Sequence, residues 1–334
     1  MPEGARRQMM RAIVAAVVGA FAACGGTLDA GHDVSHGLLP IDERNPVILY
    51  QDDWSADWLG EYAVLLANDG GPPLAGIIVN TSPYWMDLNA NASGWSNLVT
   101  AARASGLKNI PDVTPSAGGP LMRPADGQID STVATDSAGA ELIVNVSRQL
   151  ATPGRRVVVV STTSFTELAN AYLLDPTVAE RVVVVAAAGS YQAPDGVLDG
   201  PNGDMDPWAD WIVTQRFRFV HVGTWYDQTG DVTADKLATV PKNELVTWIA
   251  NKQSKIFTVT TASDQVALLS FALPMFTTAA VPASPDLSSG FDSTQGPKLV
   301  PNPAGEAWIV TQIDAALASS RLWKMLGDSS LFGP

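Results

Sequence analysis

The chain has 334 residues, a mass of 35.2 kDa and a formal charge of −14. Apolar residues make up 46% of it and charged residues only 16%, which excludes a disordered chain, and a single Cys excludes a disulfide framework or a Cys-based zinc site. The acidity argues against nucleic acid as a partner, because its binders carry basic patches, and three His leave little room for a His-rich metal centre.

Residues 1–23 read as an export signal. Arg6, Arg7 and Arg11 form a basic start, and Ala12 to Ala23 form an apolar run too short to span a bilayer. Phe21-Ala22-Ala23-Cys24 resembles a bacterial lipobox, with small residues just before a Cys. Arg6-Arg7 also resembles a twin-arginine signal, and a plain secretory signal cut at Ala20-Phe21-Ala22 is the simpler alternative. The lipoprotein reading is preferred because the chain's one Cys stands at the end of the apolar run. Lipidated there, the protein is held to a membrane by an anchor on Cys24 and does not span it. Residues 24–45 lack periodicity and are expected to be a tether; His32 and His36 within it read as solvated.

From Pro46 strands and helices alternate. Val47–Tyr50 is a short apolar strand. Trp58–Ala67 has helical spacing and stops at Asn68-Asp69-Gly70-Gly71. Leu74–Asn80 is a second strand and residues 91–104 a helix. Residues 106–136, rich in Pro, Gly, Asp and Ser, are expected to be loop. Ala138–Leu150 is a helix, Arg156–Val160 a strand ending at Ser161, Phe165–Leu174 a helix and Arg181–Ala187 a strand. A long loop is expected from Gly189 to Asp206, then a helix over Trp208–Arg216 and a strand over Phe217–Val222. The remainder reads as mostly helical, near 241–252, 264–275, 305–318 and 320–326. Runs such as VVVV do not alternate, as in strands buried on both faces of a parallel sheet. The expectation is an α/β fold with a doubly wound, mainly parallel sheet over 46–330. Such sheets bind ligands at the carboxyl ends of their strands, where strand order reverses.

The residues at those ends carry the chemistry. Asp52, Asp53 and Asp57 crowd the entrance of the first helix; one would serve as a cap, while three repel each other and suggest a cation or a hydroxyl-rich ligand. Ser161-Thr162-Thr163-Ser164 follows the third strand; Ser164 is expected to cap the next helix, and the Thr162 carbonyl lies at the ligand edge. The stretch Asp199 to Pro207 loosely resembles a calcium loop but lacks a bidentate Glu. Asp264 opens an apolar helix, most simply as a cap. Trp54, Trp58, Trp85 and Trp95 either pack in the core or stack on a ligand's rings. Trp208 and Trp211 read as core, as does His221 inside its strand.

In order and spacing these stretches resemble the inosine/uridine-preferring nucleoside hydrolase family. Gln51–Trp58 is similar to its opening DxDxxxDD, Leu74–Ser82 to its second strand and turn, and Ala117–Leu121 to its G-x-x-x-PL segment. Ser161–Ala169 is similar to its PTGPLTNLA turn, Asp175-Pro176 to the DP after it, Asn202–Pro207 to the end of its EFN motif, and Ser263-Asp264 to its His-Asp pair. The resemblance implies a calcium ion that holds ribose hydroxyls and an attacking water. It implies Asp53 as calcium ligand and general base, Gln51, Asp264 and the Thr162 carbonyl as further ligands, and Asp57, Asn202 and Ser82 against the ribose. It also implies a nucleoside or other ribosyl compound as partner, and a homo-oligomer, since members are often dimers or tetramers.

Four positions depart from the family pattern. Gln51 stands in place of the first Asp, Trp58 in place of the last, Gly200 in place of the EFN Glu and Ser263 in place of the His that protonates the leaving base. Asp52 is expected to point away from Asp53 if the strand continues. Three readings follow: an N-ribosyl hydrolase with an altered site, an exported lipoprotein of the same fold that binds a sugar- or nucleoside-like ligand without cleaving it, and an interaction domain that keeps only the fold.

Overall fold

The structure is a computed structural model that describes residues 38–53, 58–186, 188–193, 196–222, 231–232, 234–256, 260–261 and 276–333. The export signal 1–23, Cys24, most of the tether, Trp54, Asp57, Ser263, Asp264 and the helix expected at 264–275 lie outside these residues.

Strand β1 is Val47–Gln51, followed by α1 (Trp58–Asn68), β2 (Leu74–Val79), α2 (Leu88–Ala104) and β3 (Val113–Pro115). Then come α3 (Ala138–Leu150), β4 (Val157–Ser161), α4 (Thr166–Leu174), the short α5 (Val178–Arg181) and β5 (Val182–Ala186). These strands pair in parallel in the order β3-β2-β1-β4-β5. The chain runs outward from β1 to β3, then returns to lay β4 on the other side of β1, so strand order reverses between β1 and β4. Alternate residues of the central strands enter two separate cores. Leu49, Val158 and Val160 face one, Ile48, Val157 and Val159 the other, and helices cover both.

The later part carries more strand than its sequence suggests. A hairpin, β6 (Ala188–Ala193) and β7 (Gly196–Pro201), occupies most of the expected loop 189–206, with Gly189 opposite Gly200. Helix α6 (Pro207–Arg216) and β8 (Arg218–Val222) follow, then β9 (Asp231–Val232), α7 (Ala234–Leu237), α8 (Glu244–Ile256) and β10 (Thr260–Thr261). Three more strands come next: β11 (Thr277–Asp286), β12 (Lys298–Pro301) and β13 (Ala307–Ile313). The helix expected at 305–318 is therefore a strand and the first part of a helix, α9 (Ala315–Gly327), with Asp314 as the boundary; its carboxylate accepts the Leu317 N–H at 2.8 Å. β13 pairs in parallel with β8, β11 and β12 add antiparallel beyond it, and the β6–β7 hairpin joins the far side of β12, making a sheet of 11 strands among the described residues. The loop 106–136 likewise contains β3 and a 3-10 turn at Ile129–Ser131.

The folded part begins before Pro46. Leu39 and Ile41, placed in the tether by the sequence, are 7% and 6% exposed and pack into the core with Leu49. Ser164 does not cap α4: the helix starts after Phe165 without a side-chain cap, and the Ser164 hydroxyl pairs with that of Thr166.

One packing feature gives a stability prediction. Asp210 on α6 is fully buried, neither carboxyl oxygen has a hydrogen-bond partner among the described residues, and Gly296 presses so close that a Cβ there would lie 1.9 Å from Oδ2. Burial pushes this carboxyl well above the usual range, and the charges of Asp204 and Asp206 push it further. The buried carboxyl therefore keeps its proton to higher pH than it does in the unfolded chain. Its unfolded form releases that proton above the ordinary Asp value, so stability falls as pH rises from there toward the folded value. Asp210→Asn is expected to stabilise the protein at pH 7 and to do little at pH 4. Urea unfolding at both pH values checks this, and an equal effect at the two would sink it.

Candidate active site

Gln51, the last residue of β1, is fully buried at the reversal point, and Asp52 and Asp53 beyond it are 6% and 7% exposed. From the other side of the reversal, the Thr162 hydroxyl donates to Gln51 Oε1, and the Thr162 N–H donates to the Tyr50 carbonyl at 3.2 Å. Gln51 Nε2 is buried without a hydrogen-bond partner among the described residues. Asn80, just past β2, donates from its backbone to the Gln51 carbonyl at 2.8 Å and from Nδ2 to the Tyr50 hydroxyl at 2.7 Å. Its Oδ1 accepts from the Thr163 hydroxyl at 3.1 Å.

Asp52 does not point away from this cluster. Its carboxylate lies near the hydroxyls of Ser82 and Thr163 and feels the charge of Asp53. Burial pushes it up to about 6, the Asp53 charge adds to the rise, and the two hydroxyls hold it down. β1 ends at Gln51, so Asp52 and Asp53 lie beyond the regular strand. The Asp52 carbonyl accepts from Asn91 Nδ2 and the Asp53 carbonyl from Trp95 Nε1 at 3.0 Å. In an extended strand successive carbonyls face opposite ways. Here both turn toward one helix, α2, on which positions 91 and 95 lie one turn apart on the same face.

Asn91 also donates to the carbonyls of Asn80 and Trp85, both at 3.0 Å. Ser82 closes a tight turn: its hydroxyl accepts from the N–H groups of Tyr84 at 3.3 Å and Trp85 at 3.2 Å. Ser82 therefore links this turn to Asp52. Trp95 is wholly buried and is core, whereas Tyr84 and Met86 are the exposed large side chains of the turn. Neither Asn80 nor Asn91 stands out in the sequence as a site residue, although Asn80 occupies a strand end, where such residues are sought.

The remaining family-like stretches meet at a second, structural centre. Asp206 Oδ2 accepts from the Leu121 N–H at 3.0 Å and the Thr166 hydroxyl at 2.7 Å, and Oδ1 caps α6 through Ala209. Glu167, also buried, bonds the Ser137 hydroxyl at the start of α3, and Gly118 lies against it: a Cβ there would be 2.7 Å from Oε1. Asp175 ends α4 and bonds Arg148 and Arg181. Burial alone would raise its carboxyl, but the Thr177 hydroxyl and Arg181 bring it down to about 2. Asn202 follows β7 directly and is half-buried before a 3-10 turn, Gly203–Met205, so the calcium-loop reading of 199–207 gives way to a hairpin arm and a helix cap. Trp208 and His221 are core as expected, Trp208 donating to the Thr132 hydroxyl at 3.0 Å. The Trp58 side chain lies outside the described residues.

Among the described residues no three acidic, His or Cys side chains are placed to hold a metal. The oxygen-rich set at the reversal point still suits a hard cation: two adjoining carboxylates, the Gln51 amide and backbone carbonyls. The lone Gln51 Nε2 is consistent with that. With the amide turned over, nitrogen donates to Thr162 and oxygen becomes the bare atom, an acceptor that a cation would satisfy.

Compared with known proteins, the sequence matches no family model and no curated protein. The fold does match solved structures. An inosine-guanosine nucleoside hydrolase superposes with a TM-score of 0.58 at 14% identity, covering 86% of this chain and 99% of that one. The inosine-uridine preferring nucleoside hydrolase from Bacillus anthracis gives 0.57 at 15% identity, covering 84% and 99%. The type III effector protein XopQ, in a complex with adenosine diphosphate ribose, gives 0.55 at 11% identity, covering 90% and 97%. At these identities the likeness is one of fold, and the chain has a nucleoside hydrolase-like fold.

Proposed function

We infer that this protein is an N-ribosyl hydrolase with an altered active site, acting on a nucleoside or related ribosyl compound. The observation that carries this is the buried Asp52–Asp53 pair at the strand-order reversal of a nucleoside hydrolase-like sheet, with hydroxyl and amide groups converging on it. Solved structures of this fold include nucleoside hydrolases and an effector protein in complex with adenosine diphosphate ribose, which supports a ribosyl ligand. Asp53 would accept the proton of the attacking water, and the low-dielectric surroundings strengthen that role. Gln51, Asp53, Asp264 and the Thr162 carbonyl would hold calcium, which when bound supplies a polarised, oriented water. Asp57, Asn202 and Ser82 are the candidates for ribose hydroxyls, Ser82 already placed beside Asp52. The oxocarbenium-like charge that develops on the ribose is favoured by the two carboxylates. With Ser263 in place of the family's acid, leaving groups that need little protonation are the better substrates. The proposal includes export through residues 1–23 and a lipid on Cys24, tested by mass spectrometry of the membrane-bound protein.

A second reading, binding without cleavage, is favoured by Gln51, which removes a negative charge from the first position of the motif. A panel of nucleosides and nicotinamide ribosides, assayed for reducing sugar with and without a calcium chelator, separates the two. Chelator-sensitive release of sugar is expected. Ribosyl binding by calorimetry without release supports the second reading, and neither binding nor release discards both.

A further inference from the structure

We propose that Asp206 and Thr166 form a strut between the segment that carries Asn202 and the turn that carries Thr162, and that the two are positioning residues for the ribosyl site. This rests on the ribosyl reading above and extends it to side chains that would touch neither substrate nor cation. Asn202 is a candidate for the ribose hydroxyls, and the Thr162 carbonyl is a candidate cation ligand. They lie on loops that follow different strands, β7 and β4. Loops placed independently would let the two contacts drift against each other, and a misplacement of about an ångström is enough to cost rate.

Hydrogen bonds join the two segments. On one side, the Met205 N–H donates to the Asn202 carbonyl at 3.4 Å and the Asp206 N–H to the Gly203 carbonyl at 3.1 Å, so Asp206 closes the short turn that Asn202 opens. The Asp206 side chain is buried, and its two oxygens serve different elements. Oδ1 caps α6, accepting from the Ala209 N–H at 3.1 Å. A cap needs only that oxygen. Oδ2 is bonded elsewhere, by the Leu121 N–H at 3.0 Å and the Thr166 hydroxyl at 2.7 Å. Thr166, also buried, opens α4 and has given its proton to Asp206, so the Ser164 hydroxyl 3.1 Å away is the donor to it. A run of hydroxyls that ends on a carboxylate is polarised in one direction, and each bond strengthens the next. The far end of the turn is fixed to the sheet. The Thr162 N–H donates to the Tyr50 carbonyl at 3.2 Å, and the Thr163 hydroxyl to Asn80 Oδ1 at 3.1 Å. Thr162 is thus held by the ends of β1 and β2 on one side and by Asp206, through Ser164 and Thr166, on the other.

Because Asp206 also caps α6, the strut is isolated at Thr166. The full chain is compared with Thr166→Val, which deletes the hydroxyl, Thr166→Ser, which keeps it, and Ser164→Ala, which cuts the next link and leaves Asp206 all its donors. Terbium luminescence reads cation affinity, calorimetry with inosine reads ribosyl affinity, and reducing-sugar assays give KM and kcat. Thr166→Val is expected to weaken both affinities and raise KM about tenfold, with a smaller change in kcat at saturating calcium and inosine. Ser164→Ala is expected to shift the same quantities about threefold, and Thr166→Ser to restore them. A lowered melting temperature with wild-type affinities and KM in Thr166→Val and Ser164→Ala overturns the strut and spares the ribosyl reading. So does a loss in Thr166→Ser equal to that in Thr166→Val. Should Thr166→Val not fold, Ser164→Ala decides by the same criterion. Wild type that binds neither terbium nor inosine overturns both the reading and the strut.

Discussion

Replacing Asp53 by Asn is expected to lower N-ribosyl hydrolysis by about a thousandfold while the protein stays folded. A positioned general base contributes roughly 10²–10⁴-fold, and Asn keeps the shape of Asp without its capacity to take a proton. The link of Asp53 to α2 is kept in this variant, because it runs through the backbone carbonyl to the Trp95 N–H. Removing one of two adjoining buried charges also relieves Asp52, whose carboxyl is raised in part by its neighbour. Melting temperature is therefore expected to hold or rise as activity collapses. Single-turnover assays on a cleaved ribosyl substrate decide it: a variant retaining more than a tenth of wild-type rate removes Asp53 as the base.

The largest stability effect is expected at Gly106, far from the crevice. Its φ of +90° lies in the left-handed region, and a Cβ there would meet Gly333 N at 2.0 Å and Gly333 Cα at 2.5 Å. The contact is backbone on backbone, so no side chain can swing aside. Gly333 donates to the Ser105 carbonyl at 3.0 Å, and the neighbouring Phe332 is 9% exposed within the core. Ser105 itself receives the Leu245 N–H at 2.7 Å, so the end of α2, the start of α8 and the C-terminal tail meet at one point. Gly106→Ala is expected to cost about 3 kcal/mol, combining backbone strain with loss of Phe332 burial. Denaturant unfolding measures the cost, and carboxypeptidase should trim the variant's tail faster. A loss below about 1 kcal/mol would show that the tail simply re-seats.

The parallel half of the sheet is legible in the sequence because its strands are short apolar runs set off by Gly, Pro and Asp, as at Arg156–Ser161 and Arg181–Ala187. The second half is not, for local reasons. β6 and β7 are rich in Gly and Pro, and their cross-strand Gly189–Gly200 pair carries no hydrophobic period to read. β11 contains Pro282 and Pro285, residues that normally argue against a central strand. Pro282 is tolerated where β12 has ended, its carbonyl accepting the Asn302 N–H at 2.8 Å. At Ala307–Ile313 the apolar run flows into Ala315–Leu317 without a Gly or Pro, so only the capping by Asp314 divides strand from helix. At the site, Gln51, Asp53 and Thr162 lie at strand ends as their positions in the chain suggest. The tie of the Asp52 and Asp53 carbonyls to Asn91 and Trp95 was hidden, because those two helix positions carry no sign of a site.

Sheet order sets a timetable for synthesis. β8 pairs with β5 on one side and must wait for β13 on the other, and the hairpin β6–β7 finds its outer neighbour only in Lys298 and Leu299 of β12. A growing chain that has released residues up to β8 therefore carries an open strand edge, a template for pairing with other chains, until nearly its last segment emerges. Partial chains ending before Ala307 should associate through that edge, an exposure that the finished sheet closes when β13 pairs with β8.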